Sequence, residues 1–119
     1  MYDAILRRLA SISLPVLEEG CVPQGQTFPY LTLRVEPACR SNVPGAVTLT
    51  AWCCGDQAHA DRLALADQLL TLLPPRGFPL TYSGGRSLLY MKDNQVRCLQ
   101  QGPALGVQLT WALRCFTTV

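Results

Sequence analysis

One strand–turn–helix unit, between residues 47 and 75, restricts the possible folds of this chain more than any other stretch. Apolar side chains stand at every second position from Val47 to Cys53, with threonine and tryptophan between them. This period of two predicts a β-strand with one apolar face. Gly55 and Asp56 interrupt the strand. Asp56 is a favourable N-cap because its carboxylate accepts hydrogen bonds from the free amides of the next turn.

A helix is predicted after Asp56, and it ends before Pro74 and Pro75 because proline cannot continue the helical hydrogen-bond ladder. Four apolar residues recur at spacings of three and four, which is typical of an amphipathic helix. They are Leu63, Ala66, Leu70 and Leu73. We expect this face of the helix to pack against the sheet.

The N-terminus carries a second helical pattern. Its apolar stripe consists of Tyr2, Ile5, Leu6 and Leu9. This short helix is expected to end between Ala10 and Ser13. Pro15 and Gly20 then frame a connector, in which Val16 and Leu17 are expected to lie against the core.

Strand patterns occupy much of the remaining chain. Tyr30 to Glu36 alternates, and the loop Pro37 to Gly45 joins it to the strand at Val47, most simply as an antiparallel hairpin. Gly106 to Thr117 alternates as well, with Val107, Leu109, Trp111, Leu113 and Cys115 on its inward face. Shorter strands are predicted at Leu80 to Tyr82 and Ser87 to Met91, and Val96 to Gln100 is ambiguous.

The element order is therefore helix, strand, strand, helix and then several strands. This order predicts an α+β fold with a mainly antiparallel sheet, against which the N-terminal helix and the second amphipathic helix pack on one face. The sequence contains no internal repeat, low-complexity run or linker, so we expect one domain over residues 1–119.

Composition adds an expectation about partners. Hydrophobic residues make up 49% of the 119 residues and charged residues only 15%. This balance favours a subunit interface over the alternative of scattered exposed apolar residues. The net charge is +2, and the only adjacent basic pair is Arg7-Arg8, so we expect no nucleic-acid specificity. No signal sequence or membrane-spanning run is evident, which predicts a cytosolic protein without a membrane partner.

Six cysteines raise the question of disulfides or metal. Cys53 and Cys115 stand at inward positions of predicted strands, where free cysteine behaves as a small hydrophobic residue. Cys53 and Cys54 are neighbours in a strand and face opposite sides. His59 is the only histidine and no CxxC motif occurs. We therefore expect neither a metal site nor a disulfide scaffold.

No catalytic motif emerges from the sequence. His59 lies in the first turn of the second helix, where an exposed helical residue is the simplest interpretation, although a pairing with one of the thiols stays open. The carboxylates show no spacing that would pair them as acid and base. Gly84 and Gly85 lack the lysine and helix of a phosphate-binding loop. We expect no enzymatic activity and no cofactor.

Four segments together carry a resemblance to a known family. They are Gln24-Gly25, Pro29 to Leu33, Val47 to Trp52 and Ala58 to Leu73. In these segments the chain resembles the tail-terminator, or tail-completion, proteins of long-tailed bacteriophages and prophages. Members of that family are similar in their short N-terminal helix, their proline- and glycine-containing lead-in to the first strand, their polar hairpin, their amphipathic helix and their final strand.

The resemblance implies a non-enzymatic structural protein that forms a ring, commonly a hexamer. Such a ring caps the tail tube, contacts the tail tube protein and the head–tail connector proteins, and resides in the virion tail after assembly in the cytoplasm of the host bacterium. A ring needs a heterologous interface between two different patches. Sheet edges and the Pro37–Gly45 loop are natural sources of such patches, and we expect subunit contacts at Arg40, Ser41 and Asn42.

Two alternatives belong to other functional classes. The first is a small cytosolic α+β ligand-binding domain or thiol-dependent enzyme, which predicts one cysteine with a depressed pKa. The second is an adaptor subunit of a different assembly, which neighbouring tail-tube and tape-measure genes would distinguish from the tail protein.

Overall fold

The computed structural model describes residues 1–36, 44–83, 85–93 and 95–116, with side chains described as far as Arg114. Two helices and seven strands follow one another along the chain. They are α1 (Tyr2–Arg8), β1 (Val16–Glu18), β2 (Tyr30–Glu36), β3 (Gly45–Cys53), α2 (Ala58–Leu72), β4 (Phe78–Tyr82), β5 (Gly85–Tyr90), β6 (Val96–Gln101) and β7 (Ala104–Phe116). A short 3₁₀ turn, Ala10–Ile12, follows α1.

The expected fold class is wrong. The chain is mostly β, with 45% strand and 24% helix, and its seven strands form a curled mixed sheet rather than a mainly antiparallel one. The physical reason lies at residues 16–18. They were expected to be a connector, but they form β1 and run parallel to β2, with Val16 opposite Leu31. The segment 19–29 supplies the crossover that a parallel neighbour requires.

Long-range pairing arranges the other strands around β7. The strand order is β1-β2-β3-β7-β5-β4, and β6 also pairs with β7. β2 and β3 are antiparallel, with Leu33 opposite Leu49, which confirms the predicted hairpin pairing. One edge of β7 pairs with β3, whereas its other edge pairs with β6 near Ala104 and with β5 near Phe116.

One face of the sheet, here called the inner face, carries the core. The alternation predicted for β2, β3 and β7 is confirmed there by the buried side chains of Leu31, Leu33, Val47, Leu49, Ala51, Cys53, Val107, Leu109, Trp111 and Leu113. Both helices pack on this same face, because Ile5 of α1 and Leu69 of α2 belong to the same apolar cluster. Burial of such side chains is the main favourable contribution to folding.

Trp111 connects the sheet to α2. Its side chain is fully buried, and its indole Nε1–H donates a hydrogen bond of 3.0 Å to the carbonyl oxygen of Leu73. Arg8 binds the same end of the helix, because its Nε–H donates to the Leu72 carbonyl oxygen at 2.9 Å. The Arg8 guanidinium also lies 5.2 Å from the ring centroid of Phe78. Both side chains satisfy carbonyl groups that the end of a helix leaves without helical partners.

The predicted inward face of α2 is partly wrong. Ala66 and Leu73 are buried as expected and Leu70 is half-buried, but Leu63 is 47% exposed. Leu65 and Leu69 take the inward positions instead. Apolar residues therefore lie on both sides of this helix, and it is not amphipathic. The N-cap is also not Asp56: the helix begins after Gln57, which makes no side-chain capping hydrogen bond.

On the opposite face, Trp52 lies against β7 at Gly106. A Cβ atom added to Gly106 would stand 2.9 Å from Cε3 and Cζ3 of the Trp52 ring. Gly106 is directly opposite Trp52 in the β3–β7 register. Because any larger residue would occupy the space of the ring, glycine at position 106 permits the indole to lie close to the strand.

Gly106→Ala is therefore expected to displace the Trp52 ring and to lower the free energy of unfolding by about 1–3 kcal/mol, the usual cost of overpacking. Urea denaturation followed by tryptophan fluorescence measures this change. Gln108→Ala is the matched control, because Gln108 lies on the same strand and the same face, and we expect it to change stability by less than about 0.5 kcal/mol. Equal stability of the two variants would contradict the close contact.

Candidate interaction surfaces

The second face of the sheet, here called the outer face, lies away from both helices. The strand residues that belong to the apolar cluster all come from the inner face. Threonines occupy the middle of the outer face on three adjacent strands, with Thr32 opposite Thr50 and Thr48 opposite Thr110. Within the described part of the chain no helix covers this face, although Thr32 and Thr50 at its middle are buried.

An aromatic group occupies one end of the outer face. Tyr30 and Trp52 are direct cross-strand neighbours, and the Phe28 ring lies 5.3 Å from the Tyr30 ring between centroids. Phe28 is 41% exposed. Burial raises the pKa of the Tyr30 phenol above its ordinary value. Large aromatic side chains that remain accessible are frequent anchors of protein interfaces.

A groove of about 390 Å³ opens beside the aromatic group. Residues after β1 form one wall, and the ends of β2 and β3 form the other, with Glu19, Val22, Thr32 and Gln101 among the lining residues. Thr32 lines this groove and is nevertheless buried. The lining is mostly polar, and Val22 and Trp52 are its apolar side chains.

Four arginines project from the outer face, each from a different strand. They are Arg34 on β2, Arg86 on β5, Arg97 on β6 and Arg114 on β7, and all four are exposed. Glu36 lies on the same face and forms an ion pair with Arg34, the one ion pair among the residues that the structure describes. Glu19 stands at the margin of the face. The outer face therefore carries an excess of positive charge.

Sequence reasoning missed this arrangement. In the sequence these arginines are far apart, and no local pattern groups them. Alternation does place Arg34 and Arg114 on the polar faces of their strands, and this was the only part of the arginine arrangement that the sequence indicated. Arg86 and Arg97 join them only because β5 and β6 both pair with β7.

The exposed side of α2, here called the α2 outer side, has the opposite charge. It consists of Ala60, Asp61, Leu63, Ala64, Asp67, Gln68 and Thr71. Asp56 is exposed in the turn before the helix, and Arg62 is the nearby cation. The Arg62 Nη2–H donates to His59 Nδ1 at 3.1 Å, so His59 carries its own proton on Nε2 when neutral. Leu63 adds an exposed apolar side chain to the α2 outer side.

Edges of the sheet differ in how well they resist further pairing. β1 has only three residues, and β4 contains Pro79, which lacks a backbone donor. β6 is a six-residue edge strand whose pairing within the described chain is with β7 alone. The sheet edges therefore offer less continuous surface than the outer face does.

Four cysteines have described side chains, and all four are free thiols. Cys21, Cys54 and Cys98 are exposed, whereas Cys53 is 1% exposed, as its inward position predicted. Burial raises the pKa of the Cys53 thiol, the Asp61 carboxylate raises it further, and Arg62 partly opposes the shift. This shift is opposite in direction to the depressed pKa that a reactive thiol needs.

Under native conditions Cys54 is expected to react with iodoacetamide on the order of tenfold or more faster than Cys53, because Cys53 must wait for local unfolding. Cys54 is the natural control, being the next residue in the chain. Peptide mass mapping at increasing times measures both rates, and equal rates would contradict the burial of Cys53.

The remaining chemical groups form no recognisable centre. Among the described residues no three His, Cys, Asp or Glu side chains stand close enough to hold a metal ion. Arg40, Ser41 and Asn42, the predicted contact residues, lie outside the described residues. Among the helices that the structure describes, none is long and apolar enough to cross a membrane.

Comparisons of the chain with protein-family models, with curated proteins and with solved structures gave no match.

Proposed function

We propose that this chain is a non-enzymatic structural protein that self-associates into a ring and terminates the tail tube of a long-tailed phage or prophage. The observation that carries the proposal is the uncovered outer face of the sheet. It extends across β2, β3 and β7 and presents the half-buried Thr48 and Thr110, the aromatic group and exposed arginines. Accessible aromatic side chains beside exposed arginines are frequent components of protein interfaces, which favours contact with another subunit.

Composition and the position of apolar residues support the same proposal. The charged share is only 15%. Among the described residues, the large hydrophobic side chains that are exposed are Phe28, beside the outer face, and Leu63, on the α2 outer side. Two different contact patches on one chain favour head-to-tail association, which closes into a ring when the rotation between neighbours permits. The resemblance to tail-terminator proteins supplies the biological context, namely a ring between the tail tube and the head–tail connector.

Self-association is tested by the mass of the protein in solution. Light scattering after size-exclusion chromatography in reducing buffer, over a range of concentrations, should give a closed oligomer of about six chains of 13.1 kDa each. A chain that stays monomeric throughout the range would contradict ring formation by this protein alone and would favour an adaptor that binds other subunits.

The tail context needs a second experiment. The protein should be mixed with assembled tubes of the tail tube protein encoded beside it, and the tubes examined by negative-stain electron microscopy. We expect density at one end of each tube and an arrest of further tube growth. Tubes that grow equally well in its presence, with bare ends, would contradict a terminator role while leaving an oligomer intact.

A further inference from the structure

We infer that the ring interface is heterologous and electrostatically complementary: the outer face of one copy, through its arginines, docks on the α2 outer side of the next copy. This inference rests on the proposed self-association and names the two surfaces that meet. The occupant of the outer face is therefore a second copy of this chain.

Position in the fold supports two distinct surfaces. The helices cover the inner face of the sheet, and the α2 outer side faces away from that layer. The outer face and the α2 outer side consequently lie on opposite sides of the molecule. A contact between them joins different patches of two copies, which is the definition of a head-to-tail interface.

Charge gives the contact its polarity. The outer face carries Arg86, Arg97 and Arg114 with no ion-pair partner among the described residues, in addition to the Arg34–Glu36 pair. The α2 outer side carries Asp61 and Asp67, and Asp56 lies beside it. Two outer faces brought together would set arginine against arginine, and two α2 outer sides would set aspartate against aspartate. Complementary potentials therefore favour the mixed contact over either symmetric one.

Exposed apolar side chains give the same contact some hydrophobic area. Leu63 projects from the α2 outer side one turn before Asp67, and the outer face carries the aromatic group with Trp52 and Phe28. Each surface thus combines an apolar anchor with an excess of charge of one sign, the arrangement found in interfaces whose charged rim fixes register and orientation.

Charge reversal on one surface at a time tests the inference. A sheet-reversed chain carries Arg86→Glu, Arg97→Glu and Arg114→Glu, and a helix-reversed chain carries Asp61→Lys and Asp67→Lys. Each chain alone should lose the oligomer, because like charges then face each other across the contact. Mixing the two chains in equal amounts should restore it, since alternating copies place reversed arginines against reversed aspartates at one contact and native charges at the next. One chain with all five substitutions should also assemble.

The control chain carries Arg7→Glu, Arg76→Glu and Lys92→Glu, three exposed cations outside both surfaces, and it should assemble like the wild type. Circular dichroism shows that each variant is folded, and light scattering gives its mass. Sodium chloride should dissociate the wild-type oligomer, because it screens exposed charges. The inference would be overturned if both reversed chains still formed the oligomer, or if only the sheet-reversed chain failed to form it. Either result would leave the proposed ring intact. A monomeric wild type would overturn the proposed ring itself.

Discussion

Trp111→Ala is expected to lower the free energy of unfolding by about 3–5 kcal/mol, the range seen when a large buried aromatic residue is truncated. Trp111 is fully buried at the centre of β7 and packs in the cluster that joins the sheet to both helices. Its replacement leaves a large cavity and also leaves the Leu73 carbonyl oxygen without its indole donor. Since a domain of this size is stable by only about 5–15 kcal/mol, the loss is a large share of the total.

Urea denaturation at one fixed protein concentration measures the effect, because self-association makes the apparent stability depend on concentration. Trp111→Phe separates the two contributions: it keeps most of the ring volume but removes the hydrogen bond, and it should cost about 1–3 kcal/mol. Trp52→Ala is the control for loss of a tryptophan, and its smaller effect follows from its half-exposed position. Similar losses for Trp52→Ala and Trp111→Ala would contradict the assignment of the inner face.

Leu69→Asp is expected to prevent stable folding, with a cost of more than about 4 kcal/mol, because a carboxylate would be placed without a partner in the core. Leu69 is fully buried beneath the inner face. Leu63→Asp, on the same helix, should change the free energy of unfolding by less than about 0.5 kcal/mol, since that side chain is 47% exposed. Thermal denaturation followed by circular dichroism distinguishes the two variants.

This pair of substitutions decides between two orientations of α2. The spacing of Leu63, Ala66, Leu70 and Leu73 predicts that Leu63 faces the core, whereas the structure turns Leu65 and Leu69 inward. A destabilised Leu63→Asp variant together with a stable Leu69→Asp variant would support the orientation predicted from sequence and contradict the structure. Leu63→Asp should also weaken self-association, because Leu63 lies on the α2 outer side, so its stability is best compared at low protein concentration.

Apart from the control residues Leu63 and Trp52, the interface inference and these stability predictions concern different residues. Trp111 and Leu69 lie in the core, whereas the arginines of the outer face and the aspartates of α2 are exposed. Substitution in the core should reduce the amount of folded chain. Charge reversal should leave the chain folded and change only how copies associate. Mass and circular dichroism measured on the same samples keep the two effects apart.

The sequence by itself determined the local elements and which residues of the long strands face inward. Alternation gave the inner faces of β2, β3 and β7, because side chains on a strand point to opposite sides with a period of two. Proline and glycine marked most of the element boundaries. The helical stripe at the N-terminus placed α1, which was expected to end between Ala10 and Ser13 and ends at Arg8, followed by a 3₁₀ turn. These features depend on neighbouring residues alone.

Only the tertiary structure decided the mixed sheet, the rotation of α2 and the gathering of the arginines. β1 has only three residues, which is too few for alternation to predict a strand. Its parallel pairing with β2 depends on contacts between residues separated by the segment 19–29. Leucine and alanine occur all around α2, so packing against Trp111 and its neighbours selected the buried side. The arginines share one face because β5 and β6 both pair with β7, and strand pairing over long sequence separations is not encoded in any local period.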